Sequence, residues 1–242
     1  IFSGGQGAYG IVSGLKSSKN GVNAYLQGFL KEENLRIRDK ELIFNFTKNS
    51  LNSGAKIAEW PDFNLKFEDS GFELKVKGGE IHQNHVVGVL GKNGTGKTSF
   101  FRALFGELET DKGNLDLNLK ISYKPQYLFT ESKEFVREIM FKEKIGKKLA
   151  SVFNLGALQG KVLEELSGGE LQRFSVARCL AKDADVYLID EPSAYLDVEE
   201  RILVAKAIKE AMVDKEKTAF VIDHDLLFVS YLADSIINFE GD

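Results

Sequence analysis

The fold is decided by residues 86–98, which read Val86-Val87-Gly88-Val89-Leu90-Gly91-Lys92-Asn93-Gly94-Thr95-Gly96-Lys97-Thr98. Residues 86–90 form a short, continuously apolar run, which is typical of a strand buried on both faces of a sheet. Residues 91–98 fit the pattern of a glycine, four residues and then Gly-Lys-Thr, which cradles phosphates where a strand joins a helix. We therefore predict a strand, a phosphate loop and a helix that begins near Lys97. The alternative is a glycine-rich turn with a surface lysine, which the flanking strand and helix argue against.

The rest of the chain supports an α/β fold around this motif. Two further apolar runs, at 186–189 and 219–222, have the character of buried strands. Amphipathic stretches that indicate helices lie between the runs, at 97–108, 132–150, 170–182 and 199–213. Buried strands that alternate with helices predict a mainly parallel sheet. Upstream, alternating patterns at 42–46, 63–67 and 72–76 predict antiparallel strands with one wet face.

The composition narrows the class of protein. The chain has 242 residues, 43% of them hydrophobic, and a formal net charge of -4. Its single cysteine, Cys179, excludes a disulfide framework, a four-cysteine zinc site and a cysteine-ligated iron–sulfur cluster within this chain. The sequence begins at Ile1, has no signal-peptide pattern, and lacks the apolar run of about 18 residues that a bilayer span needs. We expect a soluble, cytoplasmic piece of a longer protein.

Two acidic residues end the second apolar run. Asp190 and Glu191 follow it directly, and a pair of carboxylates is not expected in the core. In a phosphate-loop protein the first such carboxylate joins the Mg²⁺ shell, together with the Thr98 hydroxyl, and the second activates a water. Lys97 reaches the β- and γ-phosphates. The alternative is that both carboxylates cap the next loop, since Pro192 forces a turn there.

A second glycine motif carries a family resemblance. Residues 166–173 read Leu166-Ser167-Gly168-Gly169-Glu170-Leu171-Gln172-Arg173, and Ser167 is placed to cap a helix. Alone this is an ordinary helix start, but its residue order resembles the signature motif of ABC-type ATPases. Gln126 resembles the Q-loop glutamine of that family, residues 193–197 resemble its D-loop, and His224 resembles its switch histidine.

The surrounding sequence indicates a subfamily. Residues 190–197 read Asp190-Glu191-Pro192-Ser193-Ala194-Tyr195-Leu196-Asp197, which resembles the second ATPase domain of subfamily E, the ribosome-recycling ATPases also called RNase L inhibitors. The same likeness extends to other stretches, namely 8–12, 33–38, 122–126, 166–173 and 184–189. Lys92, Ser99 and Asp223 depart from the residues usual in the family, and none of the three has a catalytic role there.

The resemblance implies a division of the chain and a set of partners. It places the end of a preceding ATPase domain and a hinge at 1–41. It places an ABC nucleotide-binding domain at 42–242, with a RecA-like sheet, an antiparallel β subdomain and a helical signature subdomain at about 129–182. In this family ATP lies between the phosphate loop of one domain and the signature motif of another. The implied partners are therefore a second ABC domain, normally on the same polypeptide, the small ribosomal subunit, a release factor and, through the hinge, ribosomal RNA; no membrane is implied.

The resemblance also implies residue roles. Glu191 is the general base, Lys97 binds the phosphates, and His224 and Gln126 act at the γ-phosphate. The Mg²⁺ ligands are Thr98, Gln126 and Asp190. The residues expected to contact ATP come from the phosphate loop, two upstream aromatic side chains, the signature motif and the D-loop, namely Gly91, Asn93, Gly94, Thr95, Gly96, Lys97, Thr98, Ser99, Trp60, Phe72, Ser167, Gly168, Gly169, Glu170 and Asp197. Trp60 and Phe72 are expected to stack on adenine, and the alternative for both is a place in the core.

Three functions are open on the sequence alone. The leading hypothesis is an ATP-driven factor that splits ribosomes into subunits after termination. The alternatives are the ATPase subunit of an ABC membrane transporter, coupled through the region of Gln126, and another soluble ABC translation factor. The basic residues at 133–148 indicate either a solvated helix face or an RNA-facing surface. A cluster in the hinge is the other candidate for ribosome contact, namely Lys31, Arg36, Arg38 and Lys40.

Overall fold

The chain divides into two compact units, residues 1–47 and 48–242. The structure is a computed structural model, and it describes residues 2–3, 11–12, 24, 27, 29–31, 34–36, 54–67, 71–115, 117–126 and 132–241. Among its described residues, the first unit contains two short antiparallel ladders, formed by β1 (Phe2–Ser3) with β2 (Ile11–Val12) and by β3 (Phe29–Leu30) with β4 (Leu35–Arg36). The strand predicted at 42–46 and the domain boundary predicted after residue 41 lie outside the described residues.

The second unit begins with two antiparallel strand pairs. Their members are β5 (Lys56–Trp60) with β8 (Gly79–His82), and β6 (Phe63–Phe67) with β7 (Phe72–Val76). Phe63 and Leu65 are buried on β6 and Leu74 is buried on β7, whereas the residues between them are more exposed. The alternating patterns at 63–67 and 72–76 are therefore confirmed as antiparallel strands, and they pair with each other.

A parallel sheet of five strands forms the centre of this unit. Its strands are β9 (His85–Gly91), β10 (Ile121–Lys124), β11 (Val186–Asp190), β12 (Thr218–Ile222) and β13 (Ser235–Phe239). They lie in the order β10-β11-β12-β9-β13, and every neighbouring pair is parallel. The predicted α/β architecture with a mainly parallel sheet is confirmed.

Both faces of the sheet are covered, which explains the continuous apolar runs. Along β11, Val186 and Leu188 pack into a core with β5–β8 and the helix that follows the phosphate loop. Tyr187 and Ile189 point to a second core, which is formed with the helices on the opposite face. Because successive side chains of a strand point to opposite faces, a strand between two cores is apolar at every position.

The helices follow the strands as the amphipathic stretches predict. In the described part of the second unit they are α1 (Lys97–Leu104), α2 (Val136–Lys142), α3 (Lys147–Val152), α4 (Gly168–Ala181), α5 (Val198–Lys215) and α6 (Leu226–Leu232). The stretch at 132–150 forms two helices instead of one, because the backbone turns left-handed at Lys144, with φ 54°, just after α2 ends. Helices α2, α3 and α4 make up the helical part of the fold that carries the signature motif.

Candidate active site

A cleft of about 420 Å³ lies at the carboxyl edge of the parallel sheet. Strand β9 leads into the phosphate loop, β11 ends at Asp190, and β12 is followed closely by His224. This is the edge where parallel α/β folds place their ligands. The cleft is lined by most residues that the sequence predicted for the site, namely Phe72, Asn93, Gly94, Gly96, Lys97, Thr98, Ser99, Gln126, Asp190, Glu191 and His224.

The phosphate loop owes its shape to three glycines in positive-φ conformations. Gly91, Gly94 and Gly96 have φ of 149°, 81° and 92°. A Cβ at Gly91 would lie 2.7 Å from the Cβ of Phe239, so this position also requires a close approach that only glycine allows. Thr95 does not line the cleft; its buried hydroxyl donates to the carbonyl of Lys92 at 2.8 Å and closes the loop on itself.

Lys97 extends back over this loop from the first position of α1. Its Nζ donates to the carbonyls of Gly91 at 2.7 Å and Lys92 at 2.8 Å. Burial lowers the pKa of Lys97, and the negative charges of Asp190 and Glu191 oppose that shift. The ammonium group is therefore held at the mouth of the loop, and its partners there are carbonyl groups that an anionic ligand can replace.

The acidic pair at the end of β11 has two different environments. Asp190 is buried, and this burial, followed by repulsion from Glu191, raises the pKa of Asp190 to about 6. Glu191 has a left-handed backbone with φ 46° and directs its carboxylate into the cleft. Its Oε1 accepts a hydrogen bond from Nε2 of Gln126 at 2.9 Å and lies 3.3 Å from Nε2 of His224. The cleft thus brings together three residues that stand far apart in the sequence.

The donor set suits Mg²⁺ bound together with phosphates. The described part of the chain contains no group of three or more His, Cys, Asp or Glu side chains that could hold a metal ion. Burial disfavours the charged form of the Asp190 carboxylate and raises its pKa, whereas a cation bound beside it would favour the charged form. One carboxylate with the Thr98 hydroxyl and the Gln126 amide is a sparse set, and Mg²⁺ favours such a set where phosphates supply further oxygens.

The two aromatic residues predicted to stack on adenine occupy different places. Phe72 lines the cleft next to Phe67, with ring centroids 5.9 Å apart. Trp60 does not line it: the indole is buried against Phe100, and its Nε1 donates to the carbonyl of Lys77 at 3.0 Å. Trp60 therefore lies outside the cleft, which corrects the expectation that it stacks on a base there together with Phe72.

Phe67 is a cleft residue that the sequence reasoning missed. It is the last residue of β6 and pairs directly with Phe72, the first residue of β7. The sequence could have indicated this residue, because two residues directly opposite each other on paired strands point to the same face of a hairpin. The pair Phe67 and Phe72 replaces the pair Trp60 and Phe72 as the candidate adenine platform.

The signature motif lies outside the cleft. Ser167 is the N-cap of α4, and its hydroxyl accepts from the backbone N–H of Glu170 at 3.4 Å. The Glu170 carboxylate accepts in return from the N–H of Ser167 at 2.9 Å and pairs with Lys161 at 2.8 Å. Glu170 has a lowered pKa, chiefly because of the hydrogen bond from Lys161. None of these residues lines the cleft.

The D-loop packs against the signature turn. A Cβ at Gly168 would lie 3.2 Å from the ring of Tyr195, and one at Gly169 would lie 3.1 Å from the carbonyl of Tyr195. Asp197 caps α5 by accepting from the backbone N–H of Glu200 at 2.9 Å. The structure therefore groups the predicted site residues into two sets, one around the cleft and one around the signature turn.

Two of the six basic residues at 133–148 form ion pairs with acidic side chains in the described structure. Lys142 pairs with Glu134, and Lys148 pairs with Asp214. Arg137 lies over the ring of Phe135, 4.5 Å from its centroid. Lys133, Lys144 and Lys147 are exposed, and the RNA-facing surface stays a prediction beside the solvated helix face.

Known proteins resemble this chain along its whole length. Residues 74–194 match the family model described as ABC transporter. Translation initiation factor RLI1 of Saccharomyces cerevisiae is 37% identical over 253 residues, which covers 100% of this chain and 41% of that protein. ABC transporter E family member 1 of Arabidopsis thaliana is 36% identical over 249 residues, which covers 97% of this chain and 41% of that protein.

Solved structures with a similar fold come from the same group of proteins. A structure described as a model of ribosome-bound archaeal Pelota and ABCE1 matches with a TM-score of 0.88 and 40% identity, over 100% of this chain and 42% of that one. The chain thus spans about two-fifths of the length of these relatives. In the described part of the chain, no helix combines the length and the apolar character needed to cross a bilayer. The chain belongs to the ABC-type ATPases and, among them, to subfamily E.

Proposed function

We propose that this chain is one of two ATPase domains of a cytoplasmic ribosome-recycling factor, with ATP as substrate and Mg²⁺ as cofactor. The observation that carries the proposal is that the signature turn at 167–169 lies outside the cleft that the phosphate loop shares with Asp190 and Glu191. A second ABC domain is then needed to bring signature donors to ATP in this cleft. The signature turn of this chain serves the ATP of that partner.

Each of the cleft residues has a separate role in ATP hydrolysis. Lys97 exchanges its carbonyl partners for the β- and γ-phosphates, and its charge stabilises their oxygens. Glu191 takes the proton of the attacking water as general base, while the amide of Gln126 orients its carboxylate and His224 stabilises the γ-phosphate. Thr98, Gln126 and Asp190 would hold Mg²⁺, which would supply positive charge to the phosphate oxygens when bound. Positioning and electrostatics account for such a site without a covalent intermediate.

The link to the ribosome is supported by the relatives. One matched protein is described as a translation initiation factor, and one matched structure is described as ribosome-bound. By this proposal the hinge at 1–41 carries the closure of the two ATPase domains to the small ribosomal subunit and a release factor. Of the basic cluster proposed to meet ribosomal RNA, Lys31 and Arg36 are exposed, whereas Arg38 and Lys40 lie outside the described residues.

Co-sedimentation tests the proposed function. We expect the protein that carries both ATPase domains to sediment with small ribosomal subunits when a non-hydrolysable ATP analogue and Mg²⁺ are present. A Lys97→Ala variant is the matched control, because it keeps the hinge but binds nucleotide weakly and should stay in the supernatant. Sedimentation with membrane vesicles instead of subunits would favour the transporter hypothesis. Equal sedimentation of both variants would contradict a nucleotide-driven role.

A further inference from the structure

The backbone of Glu191 is held in a costly conformation. Its φ of 46° lies in the left-handed region, where a residue with a Cβ loses about 1–2 kcal/mol. Such a conformation persists only where the surroundings over-determine it. The N–H of Glu191 donates to the carbonyl of Ile222 at 2.7 Å, which fixes one side of the residue to β12.

Two buried polar side chains fix the other side. Gln172 donates from Nε2 to the carbonyl oxygen of Glu191. Lys124 donates from Nζ to the carbonyl oxygen of Asp190 at 2.6 Å and lies 3.5 Å from that of Glu191. Lys124 is only 2% exposed and Gln172 only 1% exposed, and neither lines the cleft. Burying an amine and an amide is unfavourable unless they are hydrogen-bonded, and here their donors go to the two carbonyls around the base.

These side chains come from two separate elements. Lys124 is the last residue of β10, and Gln172 is on α4, five residues after the cap Ser167. They meet at the peptide of Glu191 from the neighbouring strand and from the signature helix. On the opposite side of the residue, the carboxylate is held by Gln126, while His224 lies within 3.3 Å.

We propose that Lys124 and Gln172 are positioning residues for Glu191, which hold the carbonyls of residues 190 and 191 and thereby aim the carboxylate of Glu191 at the attacking water. This inference rests on the proposed function, in which Glu191 is the general base. It adds two residues that act through the base and do not contact ATP in the cleft. A displacement of about 1 Å at a catalytic group is enough to cost about 100-fold in rate.

The first test separates turnover from ATP binding. Gln172→Met and Lys124→Met keep the length of the side chain but remove its donor. In the protein that carries both ATPase domains, we expect kcat to fall about 10- to 100-fold and ATP affinity to stay within about twofold. Cys179→Ala on α4 and Ser122→Ala on β10 are matched controls, because both side chains are buried and their hydrogen bonds join these two residues to each other. Normal kcat in both Met variants would overturn the inference.

The second test distinguishes positioning from scaffolding. Each Met substitution is combined with Glu191→Gln, and the single-turnover rate of ATP cleavage is measured. A residue that acts through the base has nothing left to position, so we expect no further loss in this background. The same fold-loss in both backgrounds would overturn the inference, because it would show a general structural effect. If one Met variant does not fold, as judged by thermal melting, the other provides the test.

The two proposals fail in different ways. If Glu191→Gln alone turns over ATP at the normal rate, Glu191 is not the base, and the proposed function loses its mechanism together with this inference. If Glu191→Gln is inactive and both Met variants are fully active, only the positioning role is wrong.

Discussion

Helices α1 and α4 both begin at glycine-rich turns, but side chains cap the first backbone N–H groups only at α4. Gly96 precedes α1 in the left-handed conformation, with no side-chain cap and no acidic residue in the first turn. Ser167 precedes α4 with a capping box completed by Glu170, which is neutralised in turn by Lys161. We call the uncapped turn before α1, which ends at Gly96, the open turn. We call the turn at 167–169, which Ser167 and Glu170 cap, the closed turn.

The difference shows what makes a helix start an anion site. The first N–H groups of a helix have no partner within it, and the helix dipole adds positive potential there. At α1 these groups face the cleft together with the ammonium of Lys97, so a phosphate fits without competition. At α4 the Glu170 carboxylate already occupies the favourable position. We infer that the signature turn is a weak anion site alone and contributes only when a partner domain presses a γ-phosphate against Ser167, Gly168 and Gly169.

The largest expected effect is on the rate of ATP hydrolysis, which we expect to require the open turn of one domain and the signature turn of another. This chain alone should bind Mg-ATP but hydrolyse it slowly, because no donors face the γ-phosphate opposite the phosphate loop. Joining it to the second ATPase domain should raise the steady-state rate by orders of magnitude, and Ser167→Arg should remove most of that gain. The ATP affinity of the isolated chain should be the same with and without Ser167→Arg.

Three samples make this comparison decisive: the isolated chain, the two-domain protein, and the two-domain protein with Ser167→Arg. Ser151→Arg is the matched control, since Ser151 is exposed on α3 and lies outside both turns. An isolated chain that is as fast as the two-domain protein, at a dilution where homodimers cannot form, would contradict a composite site.

The next effect tests the open turn. Lys97→Ala removes a charged donor from the mouth of the phosphate loop, and hydrogen bonds of charged groups contribute about 1.5–3 kcal/mol. We expect the affinity for Mg-ATP to fall about 10- to 100-fold, as measured by calorimetry on the isolated chain. Lys92→Ala is the control, because Lys92 is exposed and offers the loop only its backbone carbonyl. Equal affinities for Lys97→Ala and the unaltered chain would contradict the phosphate-loop assignment.

The open turn was readable from the sequence because its determinants are local. The strand, the glycines and Lys97 lie within residues 86–98, and the same local logic placed the acidic pair at the end of β11. The parallel sheet followed from runs that are apolar at every position, which only a strand between two cores requires. Capping of α4 by Ser167 was also predictable, since the cap and its helix are adjacent in the chain.

The features that were missed depend on packing between distant segments. Trp60 and Phe72 both precede β9, and the sequence does not reveal which of them faces the cleft. Trp60 lies so close over Gly79 that a Cβ there would be 2.4 Å from its ring, which fixes the indole in the core. Lys124 and Gln172 resemble ordinary surface residues of a strand and a helix. Their burial follows only from the way that β10, β11 and α4 meet.

The smallest expected effect tests the closed turn. Ser167→Ala removes the side-chain cap of α4, and losing such a cap costs about 0.5–2 kcal/mol. The hydroxyl accepts at 3.4 Å, which is a long hydrogen bond, so we expect the low end, about 0.5–1 kcal/mol, and a fall in Tm of about 1–4 °C. Ser167→Asp is the matched control, because aspartate is an equally good cap and should keep the melting temperature. The affinity of the isolated chain for Mg-ATP should not change in either variant, since Ser167 does not line the cleft. A weaker affinity in Ser167→Ala at unchanged stability would mean that the signature turn contacts nucleotide within its own chain, and the contrast between the two turns would not hold.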